Sequence, residues 1–259
     1  MDLNDRHVVV TGAAGGIGGA LAARFHAAGA RLTLTDLHGA DAVAADLDGA
    51  ISLGADMADE SSIVAMIDAA EAEHGPIDLY FANAGVAIGT DPMDTEDVWN
   101  LAFDVNVHAH RWAARRLLPG WLERADGYFC STASAAGLLA QIGSAPYSVT
   151  KHAAVAFAEW LSITYGDRGL KVSCLCPQGV NTDMLNSVDQ IGDGGNVVRA
   201  VGVVLEPAEV ADTVLEAIRD ERFLILPHPE VADYLTLKAT DLPRWLGGMR
   251  KLQRRVMGV

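Results

Sequence analysis

The sequence has few cysteines, few basic residues and no long apolar segment. Its three cysteines, Cys130, Cys174 and Cys176, form no Cys-x-x-Cys pair, which favours reduced core thiols in a cytosolic protein. Nineteen basic against 34 acidic residues leave a net charge of −15, which repels nucleic-acid phosphates and anionic lipid. Neither a run of 18 apolar residues nor a signal-peptide pattern is present. We therefore expect a soluble, cytoplasmic protein that binds neither nucleic acid nor a membrane.

Metal and serine-hydrolase chemistry lack their sequence patterns. His108 and His110 lie two residues apart on a predicted helix, so their side chains diverge, and the other six histidines are scattered. No Gly-x-Ser-x-Gly pattern surrounds Ser131 or Ser134. We expect no metal site and no hydrolase nucleophile.

The length and the apolar pattern predict one large α/β domain over residues 1–259. Half of the residues are hydrophobic and only 20% are charged, as in a globular protein. Seven short, nearly continuous apolar runs alternate with helical patterns, at 7–11, 31–35, 50–53, 78–82, 127–131, 171–176 and 223–227. Such runs are typical of parallel strands covered on both faces. We predict a doubly wound, Rossmann-type fold with a seven-stranded, mainly parallel sheet and helices on both faces.

A glycine-rich turn follows the first predicted strand and opens a helix. It reads Thr11-Gly12-Ala13-Ala14-Gly15-Gly16-Ile17-Gly18. Glycines let the backbone approach a pyrophosphate closely, and a helix N-terminus offers unpaired N–H groups. The turn therefore predicts a dinucleotide site that includes Gly12, Gly16, Ile17 and Gly18. A P-loop is excluded because no Gly-Lys-Ser/Thr follows.

Asp36 ends the second predicted strand, 24 residues after Gly12. A carboxylate at this place can accept hydrogen bonds from an adenosine ribose and repels a 2′-phosphate. Its neighbours Leu37 and His38 supply no fixed positive charge. We expect NAD rather than NADP as the cofactor, with an ordinary loop aspartate or helix cap as the alternative.

Tyr147 and Lys151 are four residues apart at the start of a predicted helix, so they share one face. A nearby ammonium lowers the pKa of a phenol and makes it a better acid or base at neutral pH. The pair alone could be a surface coincidence. Ser134 lies thirteen residues upstream, just beyond the fifth predicted strand, at the sheet edge where ligands bind.

These elements together resemble the short-chain dehydrogenase/reductase family from about residue 5 to residue 227. The resemblance rests on Thr11-Gly12-x-x-x-Gly16-x-Gly18, Asn83-Ala84-Gly85, Asn106, Ser134 and Tyr147-x-x-x-Lys151. It implies that Tyr147 is the general acid/base, that Ser134 holds the substrate oxygen, and that Lys151 binds the nicotinamide ribose. Asn106 is implied to anchor a water molecule in a proton relay reaching Lys151, whereas the residues alone favour a core amide over a catalytic role.

The resemblance also implies further cofactor contacts. Asn83 and Gly85 follow the fourth strand and are implied to line the coenzyme pocket. Asp56, with Met57 beside it, follows the third strand and is implied to accept a hydrogen bond from adenine N6. Taken by themselves, Asp56 and Asn83 would pass for loop residues.

The sequence departs from the family pattern after the sixth strand. Where the pattern has Pro-Gly-x-Val-x-Thr, this chain has Gln178 in the place of the glycine, which bears on the backbone beside the nicotinamide. Val180 and Thr182, which resemble carboxamide-contacting residues, are retained. A milder change puts Ala82 before Asn83, and the Asp-Gly-Gly pattern near the C-terminus is missing, so tetramer packing does not follow from the family.

The surroundings of Ser134 predict an apolar substrate. Residues 133–146 carry no charge and offer Leu138, Leu139 and Ile142 as an apolar wall, which suits a polyanion badly. Residues 183–206, with Gly192, Gly194 and Gly195, suggest a flexible lid or else a plain surface loop.

We predict reversible NAD-linked oxidation of an apolar secondary alcohol to a ketone. Two alternatives stay open: an epimerase or dehydratase built on the same Tyr and Lys, and a non-catalytic NAD-sensing scaffold. The joint presence of Ser134, Tyr147 and Lys151 favours catalysis.

Two segments suggest subunit contacts. Residues 147–165 are apolar nearly all round, as in a helix with a second partner, so we expect a homodimer or homotetramer. The C-terminal extension 228–259 carries a net charge of +3, against −18 for the rest, and forms a basic amphipathic helix. We expect this helix to dock on the acidic body of a neighbouring subunit; packing on its own subunit or on a membrane surface are the alternatives.

Overall fold

The computed structural model describes residues 1–191 and 194–258, and its nine strands form a large and a small sheet. The strands are β1 His7–Thr11, β2 Arg31–Asp36, β3 Ile51–Gly54, β4 Leu79–Ala82, β5 Gly127–Thr132, β6 Leu170–Leu175, β7 Gly179–Val180, β8 Val204–Leu205 and β9 Leu224–Ile225. Seven of them form a parallel sheet in the order β3-β2-β1-β4-β5-β6-β9. The predicted fold is confirmed, with the last strand shorter than its apolar run.

Helices cover both faces of the sheet. They are α1 Gly16–Ala27, α2 Ala40–Ala45, α3 Glu60–His74, α4 Glu96–Phe103, α5 Ala109–Arg124, α6 Ala135–Leu138, α7 Ala145–Tyr165, α8 Asp183–Ile191, α9 Gly194–Val201, α10 Pro207–Arg219, α11 Glu230–Thr240 and α12 Leu242–Met257. One apolar layer packs α3, α5 and α7 against the sheet, and the other packs α1 and α10. The strands between the two layers are therefore buried on both faces.

The strand order reverses beside β1, because the chain runs outward through β2 and β3 and then returns to add β4 on the other side. In an open parallel sheet this reversal leaves a crevice at the carboxyl ends of the strands, where ligands bind. The glycine-rich turn after β1 and Asn83 after β4 face each other across that crevice, since Asn83 Nδ2 lies 3.3 Å from the Gly12 carbonyl oxygen.

The cysteines are buried thiols, as the sequence predicts. All three cysteines are free and buried, and the Sγ atoms of Cys174 and Cys176 lie 3.8 Å apart. Across the described ranges, no helix has both the length and the apolar character needed to cross a bilayer.

The C-terminal extension packs on its own subunit, which was one of the two alternatives to the expected docking on a neighbouring subunit. Helix α12 contacts α11 and α9, and Trp245 on its apolar stripe is buried there. Leu242 and Leu246, near its start, are each 49% exposed. The stripe therefore has a partner within the chain, whereas the basic residues of α12 face outward.

The segment predicted to be a lid forms two helices, α8 and α9, followed by β8. Strand β8 pairs with β7 in a two-stranded parallel sheet. Gly192 lies outside the described residues, and Gly194 and Gly195 begin α9.

Candidate active site

A cavity of about 1130 Å³ opens at the carboxyl edge of the sheet, in the crevice beside β1 and β4. Every residue predicted to bind the cofactor lies on its wall, together with Ser134: Gly12, Gly16, Ile17, Gly18, Asp36, Asp56, Met57, Asn83, Gly85, Tyr147, Lys151, Val180 and Thr182. Asn106 is fully buried behind this wall. The cavity is large enough for a dinucleotide with a substrate beside it, since most small-ligand pockets occupy about 300–1,000 Å³.

The glycine-rich turn has room only for glycine at two positions. Gly12 has a φ of +66°, and a Cβ there would lie 2.9 Å from Ala84 Cα. A Cβ on Gly18 would overlap the carbonyl oxygen of Gly12. Gly15, the N-cap of α1, makes no side-chain hydrogen bond to the first N–H groups of this helix, and Gly15, Gly16, Ile17 and Gly18 line the cavity. These features fit a bound pyrophosphate.

Asp36 lies beside this turn at the end of β2. Its Oδ2 accepts a hydrogen bond from the Ala14 N–H at 3.0 Å, and its Oδ1 accepts one from the Leu37 N–H at 2.7 Å. The carboxylate is therefore oriented by the glycine-rich turn while still lining the cavity. This position suits recognition of a ribose hydroxyl and disfavours a phosphate on the same ribose.

Asp56 and Met57, just after β3, line another part of the cavity. Asp56 is exposed, and its Oδ1 accepts a hydrogen bond from the Ala58 N–H at 2.8 Å. Met57 is buried and contributes an apolar surface. An exposed carboxylate beside an apolar side chain can receive a flat ring that carries an amino group.

Asn83 ties together the ends of three strands. Its Nδ2 donates to the Thr11 carbonyl at 3.0 Å, and its Oδ1 accepts from Thr132 Oγ1 at 2.9 Å. The Thr11 hydroxyl in turn accepts the N–H groups of Asn83 and Ala84, both at 2.9 Å. Asn83 is therefore a structural part of the cavity floor.

Ser134 caps α6 and faces Tyr147. Its Oγ accepts the Ala136 N–H at 3.1 Å and lies 3.4 Å from the Pro177 carbonyl oxygen. Burial raises the pKa of the Tyr147 phenol, and a hydrogen bond with Ser134 lowers it in part. The pKa of Tyr147 is therefore raised, whereas the spacing of Tyr147 and Lys151 predicted a lowered pKa. The desolvation of the phenol outweighs the hydrogen bond with Ser134.

Lys151 is buried one helical turn after Tyr147. Its Nζ lies 5.6 Å from the centre of the Tyr147 ring and donates to the Thr132 carbonyl at 2.9 Å. Burial lowers the pKa of Lys151 to about 8. The lysine is therefore still mainly protonated at neutral pH, although it is close to losing its proton.

Asn106 lies in a π-turn, Asp104–His108, between α4 and α5. Its Nδ2 donates to the Val86 carbonyl at 2.9 Å and to Thr150 Oγ1 at 3.1 Å, and its Oδ1 accepts the Val86 N–H at 2.9 Å. Both the nitrogen and the oxygen of the side-chain amide therefore have hydrogen-bond partners, as in a buried core amide. Gly85 separates it from Lys151, since a Cβ on Gly85 would lie 3.1 Å from both Asn106 Oδ1 and Lys151 Nζ.

The altered motif after β6 keeps its place beside the cavity. Val180 is buried and Thr182 Oγ1 donates to the Val180 carbonyl at 3.3 Å. The Gln178 side chain packs against Gly202, and its buried Oε1 has no hydrogen-bond partner among the described residues. The backbone of Gln178 is held by His228, a residue that the sequence analysis missed because nothing near it in the sequence indicates the contact.

The apolar substrate wall is only partly where the sequence placed it. Ile142 lines the cavity, whereas Leu138 is buried in the core and Leu139 packs against it, so neither lies on the wall. The four-residue helix α6 turns them away from the crevice. Apolar side chains that the sequence analysis did not assign line the cavity instead: Val86, Ile88, Leu101, Val105, Met184, Leu185, Val198 and Met257.

The comparisons with known proteins agree with this geometry. A family model described as short chain dehydrogenase matches residues 6–191, which is more than half of the chain. The chain belongs to the short-chain dehydrogenase family. Within this family the protein is an oxidoreductase that acts on the CH–OH group of an alcohol.

Relatives of this short-chain dehydrogenase act on different alcohols. A 1-deoxy-11-beta-hydroxypentalenate dehydrogenase of Streptomyces avermitilis is 31% identical, with 95% of this chain and 93% of the relative covered. A meso-2,3-butanediol dehydrogenase of Serratia marcescens is 32% identical, with 87% and 92% covered. A crystal structure of a short-chain dehydrogenase/reductase from Burkholderia phymatum in complex with NAD superposes with a TM-score of 0.84 at 28% identity, covering 94% of this chain and 96% of that one.

Proposed function

We propose that this protein is an NAD-linked dehydrogenase of apolar secondary alcohols, with Tyr147 as the general acid/base. The observation that carries the proposal is the position of Ser134, Tyr147 and Lys151 on one cavity wall, with Asp36 and the glycine-rich turn on the same cavity. A scaffold that only senses NAD has no need for the three polar side chains together.

The cofactor would lie along the edge of the sheet. The turn at Gly12–Gly18 would receive the pyrophosphate, Asp36 the adenosine ribose, and Val180 and Thr182 the carboxamide end. Bound NAD⁺ supplies a hydride acceptor next to Ser134 and Tyr147. Asp36 favours NAD over NADP because its carboxylate repels a 2′-phosphate and its neighbours Leu37 and His38 supply no fixed positive charge. The similar structure from Burkholderia phymatum is described as an NAD complex.

The protein's own groups handle the proton. Ser134 orients the substrate oxygen, and the Tyr147 phenolate accepts the hydroxyl proton as the C–H hydride departs, so that the alcohol loses two electrons and becomes a ketone. The charge on Lys151 favours the phenolate during this step. The proton would leave Tyr147 by a relay over Lys151 to a water held by Asn106, since only Gly85 separates Lys151 Nζ from Asn106 Oδ1.

The cavity wall supports an apolar substrate. Leu101 and Val105 line one side, and Met184 and Leu185 of α8 line another. Because α8 belongs to the segment 183–206, we infer that this segment acts as the lid over the substrate. The pentalenate and butanediol dehydrogenases show that relatives of this chain accept alcohols of very different size.

We also infer that the protein assembles as a homodimer or homotetramer through α7. Trp160 and Ile163 on this helix are 52% and 84% exposed, and Val149 is 46% exposed. Large apolar side chains on the outer face of a core helix lose contact with water when a second subunit covers them.

The proposed function is tested by following NADH absorbance with a panel of neutral secondary alcohols from butan-2-ol to cyclic alcohols. We expect NAD-dependent oxidation whose efficiency rises with the apolar surface of the alcohol, and weaker activity with NADP. Isomerisation or water loss without net NADH formation would favour the epimerase or dehydratase alternative. NAD binding without any turnover would favour the sensing scaffold.

A further inference from the structure

The basic residues of α12 have no carboxylate partner within the described ranges. Elsewhere arginines pair with acidic residues, as Arg24 does with Asp212 and Arg116 with Glu71. No ion pair or hydrogen bond joins the following exposed side chains to a described acceptor: Arg244, Arg250, Lys251, Arg254 and Arg255. In a chain with a net charge of −15, this helix is an unusual strip of unpaired positive charge.

Helix α12 also borders the substrate end of the active-site cavity. Gln253 and Met257 line the main cavity. Gln253 further lines an adjoining side chamber of about 370 Å³, which shares Thr90 and residues 141–144 with the main cavity. Ser144 in that shared wall accepts the Tyr147 N–H at 3.4 Å, so the chamber begins within one helical turn of the acid/base.

Among the described residues on the wall of the side chamber, Arg250 is the only charged one. The rest of that wall is apolar or uncharged, with Leu246 and Met249 from the same helix. The described wall of the main cavity, by contrast, has four carboxylates, Asp36, Asp56, Asp91 and Asp183, against the single cation Lys151. An anionic group on a substrate is therefore repelled from the main cavity and attracted into the side chamber.

We propose that Arg250 binds a carboxylate carried by the substrate, so that the enzyme prefers apolar secondary alcohols with a carboxylate at the far end from the hydroxyl. This inference rests on the proposed function and assigns its substrate class. The guanidinium offers a planar pair of donors that matches a carboxylate. A single cation in a small, otherwise uncharged chamber suits one negative charge better than the two charges of a phosphate dianion.

An anionic substrate would also account for the positive charge of α12. Unpaired cations beside the mouth of a cavity raise the local concentration of an anionic substrate around an otherwise acidic protein. Such attraction weakens as salt increases, because exposed charges are screened over about 8 Å at physiological ionic strength.

The test compares (ω−1)-hydroxy fatty acids of six to twelve carbons with their methyl esters, using kcat/KM at low salt. We expect the wild-type protein to prefer the acid over its ester by about three- to tenfold at one or more chain lengths, since a partly enclosed ion pair contributes modestly. In Arg250→Gln this preference should disappear. The matched control Arg254→Gln removes the same charge from the same helix but not from the chamber wall, and should keep the preference.

Decan-2-ol, which has no charge, separates this inference from the proposed function. Its oxidation should be unchanged in Arg254→Gln, and in Arg250→Gln any loss of decan-2-ol oxidation should be smaller than the loss of hydroxy-acid oxidation. Equal efficiencies for acid and ester in the wild type at every chain length would overturn the role of Arg250 while leaving the dehydrogenase intact. So would equal losses of the acid preference in Arg250→Gln and Arg254→Gln, or an unchanged acid preference in Arg250→Gln. Absence of oxidation of decan-2-ol would overturn the proposed function itself.

Discussion

The Gln178 N–H donates a hydrogen bond to Nδ1 of His228 at 3.1 Å. On its other side, His228 Nε2 lies 3.1 Å from the Gly179 carbonyl oxygen and 3.2 Å from that of Val203. Because the N–H must be the donor and the carbonyls the acceptors, the ring is neutral with its proton on Nε2. One buried imidazole from the C-terminal extension thus fixes the backbone where the family motif has lost its glycine.

Replacing His228 by Ala should therefore loosen the loop beside the carboxamide end of the cofactor site. We expect the Kd for NAD to rise several-fold and the melting temperature to fall by several degrees, since buried hydrogen bonds and packing are lost together. His228→Asn restores an acceptor and a donor of similar reach and should recover part of the affinity. The control His26→Ala removes a half-buried ring with one hydrogen bond, to the Asp48 carbonyl oxygen. A His228→Ala protein with wild-type NAD affinity would show that the hydrogen bonds of His228 are not needed for NAD binding.

Asp36 should set the choice between NAD and NADP. In Asp36→Ala the NAD/NADP ratio of kcat/KM should fall about tenfold or more, because an acceptor and a repulsive charge are both removed. Asp36→Asn keeps an oxygen for the Ala14 N–H and removes only the charge, so it should lower the ratio while leaving the glycine-rich turn in place. Asp41→Ala, on α2, serves as the control. Unchanged ratios in both Asp36 variants would reduce Asp36 to a structural role.

Local patterns in the sequence were enough to predict the sheet and the glycine-rich part of the cavity wall. Continuous apolar runs identify strands covered on both faces, and the glycines after β1 lie at a strand end that the topology brings to the crevice. The contact of Gln178 with His228 joins residues 50 positions apart, and neither neighbourhood indicates it. The stripe on α12 shows that one face is buried, but only tertiary packing decides that its own subunit covers it.

Gly85 should be intolerant of a side chain. In Gly85→Ala the new methyl group meets Lys151 Nζ and Asn106 Oδ1, each at 3.1 Å, so one of these groups has to shift. We expect kcat to fall about tenfold, a size typical of a disturbed acid/base arrangement, with the melting temperature nearly unchanged. Gly166→Ala, where an added Cβ meets no atom within 4 Å, is the control. Wild-type turnover in Gly85→Ala would argue against a proton path between these residues.

His110 should make the fold sensitive to acid. Both ring nitrogens are buried without a partner among the described residues, and burial lowers the pKa of His110 to about 3 from the ordinary value of 6.5. The unfolded chain binds the proton first, so the free energy of unfolding falls as pH drops from about 6.5 towards 3, by up to about 1.4 kcal/mol per pH unit.

This dependence is measured by urea unfolding between pH 6.5 and 4. His110→Leu, which has a similar volume and no proton to bind, should lose less stability over that interval than the wild type. His38→Leu, at an exposed position, should follow the wild type. Parallel curves for the wild type and His110→Leu would show that His110 does not contribute.

The most direct test of the proposed mechanism is the turnover of Tyr147→Phe beside its equilibrium affinity for NAD. Removing only the phenolic oxygen should lower kcat for a neutral secondary alcohol by at least about a hundredfold, while the Kd for NAD stays near the wild-type value. Tyr234→Phe, a substitution of the same kind on α11 away from the cavity wall, should retain full turnover. Near-normal turnover of Tyr147→Phe would contradict its assignment as the acid/base.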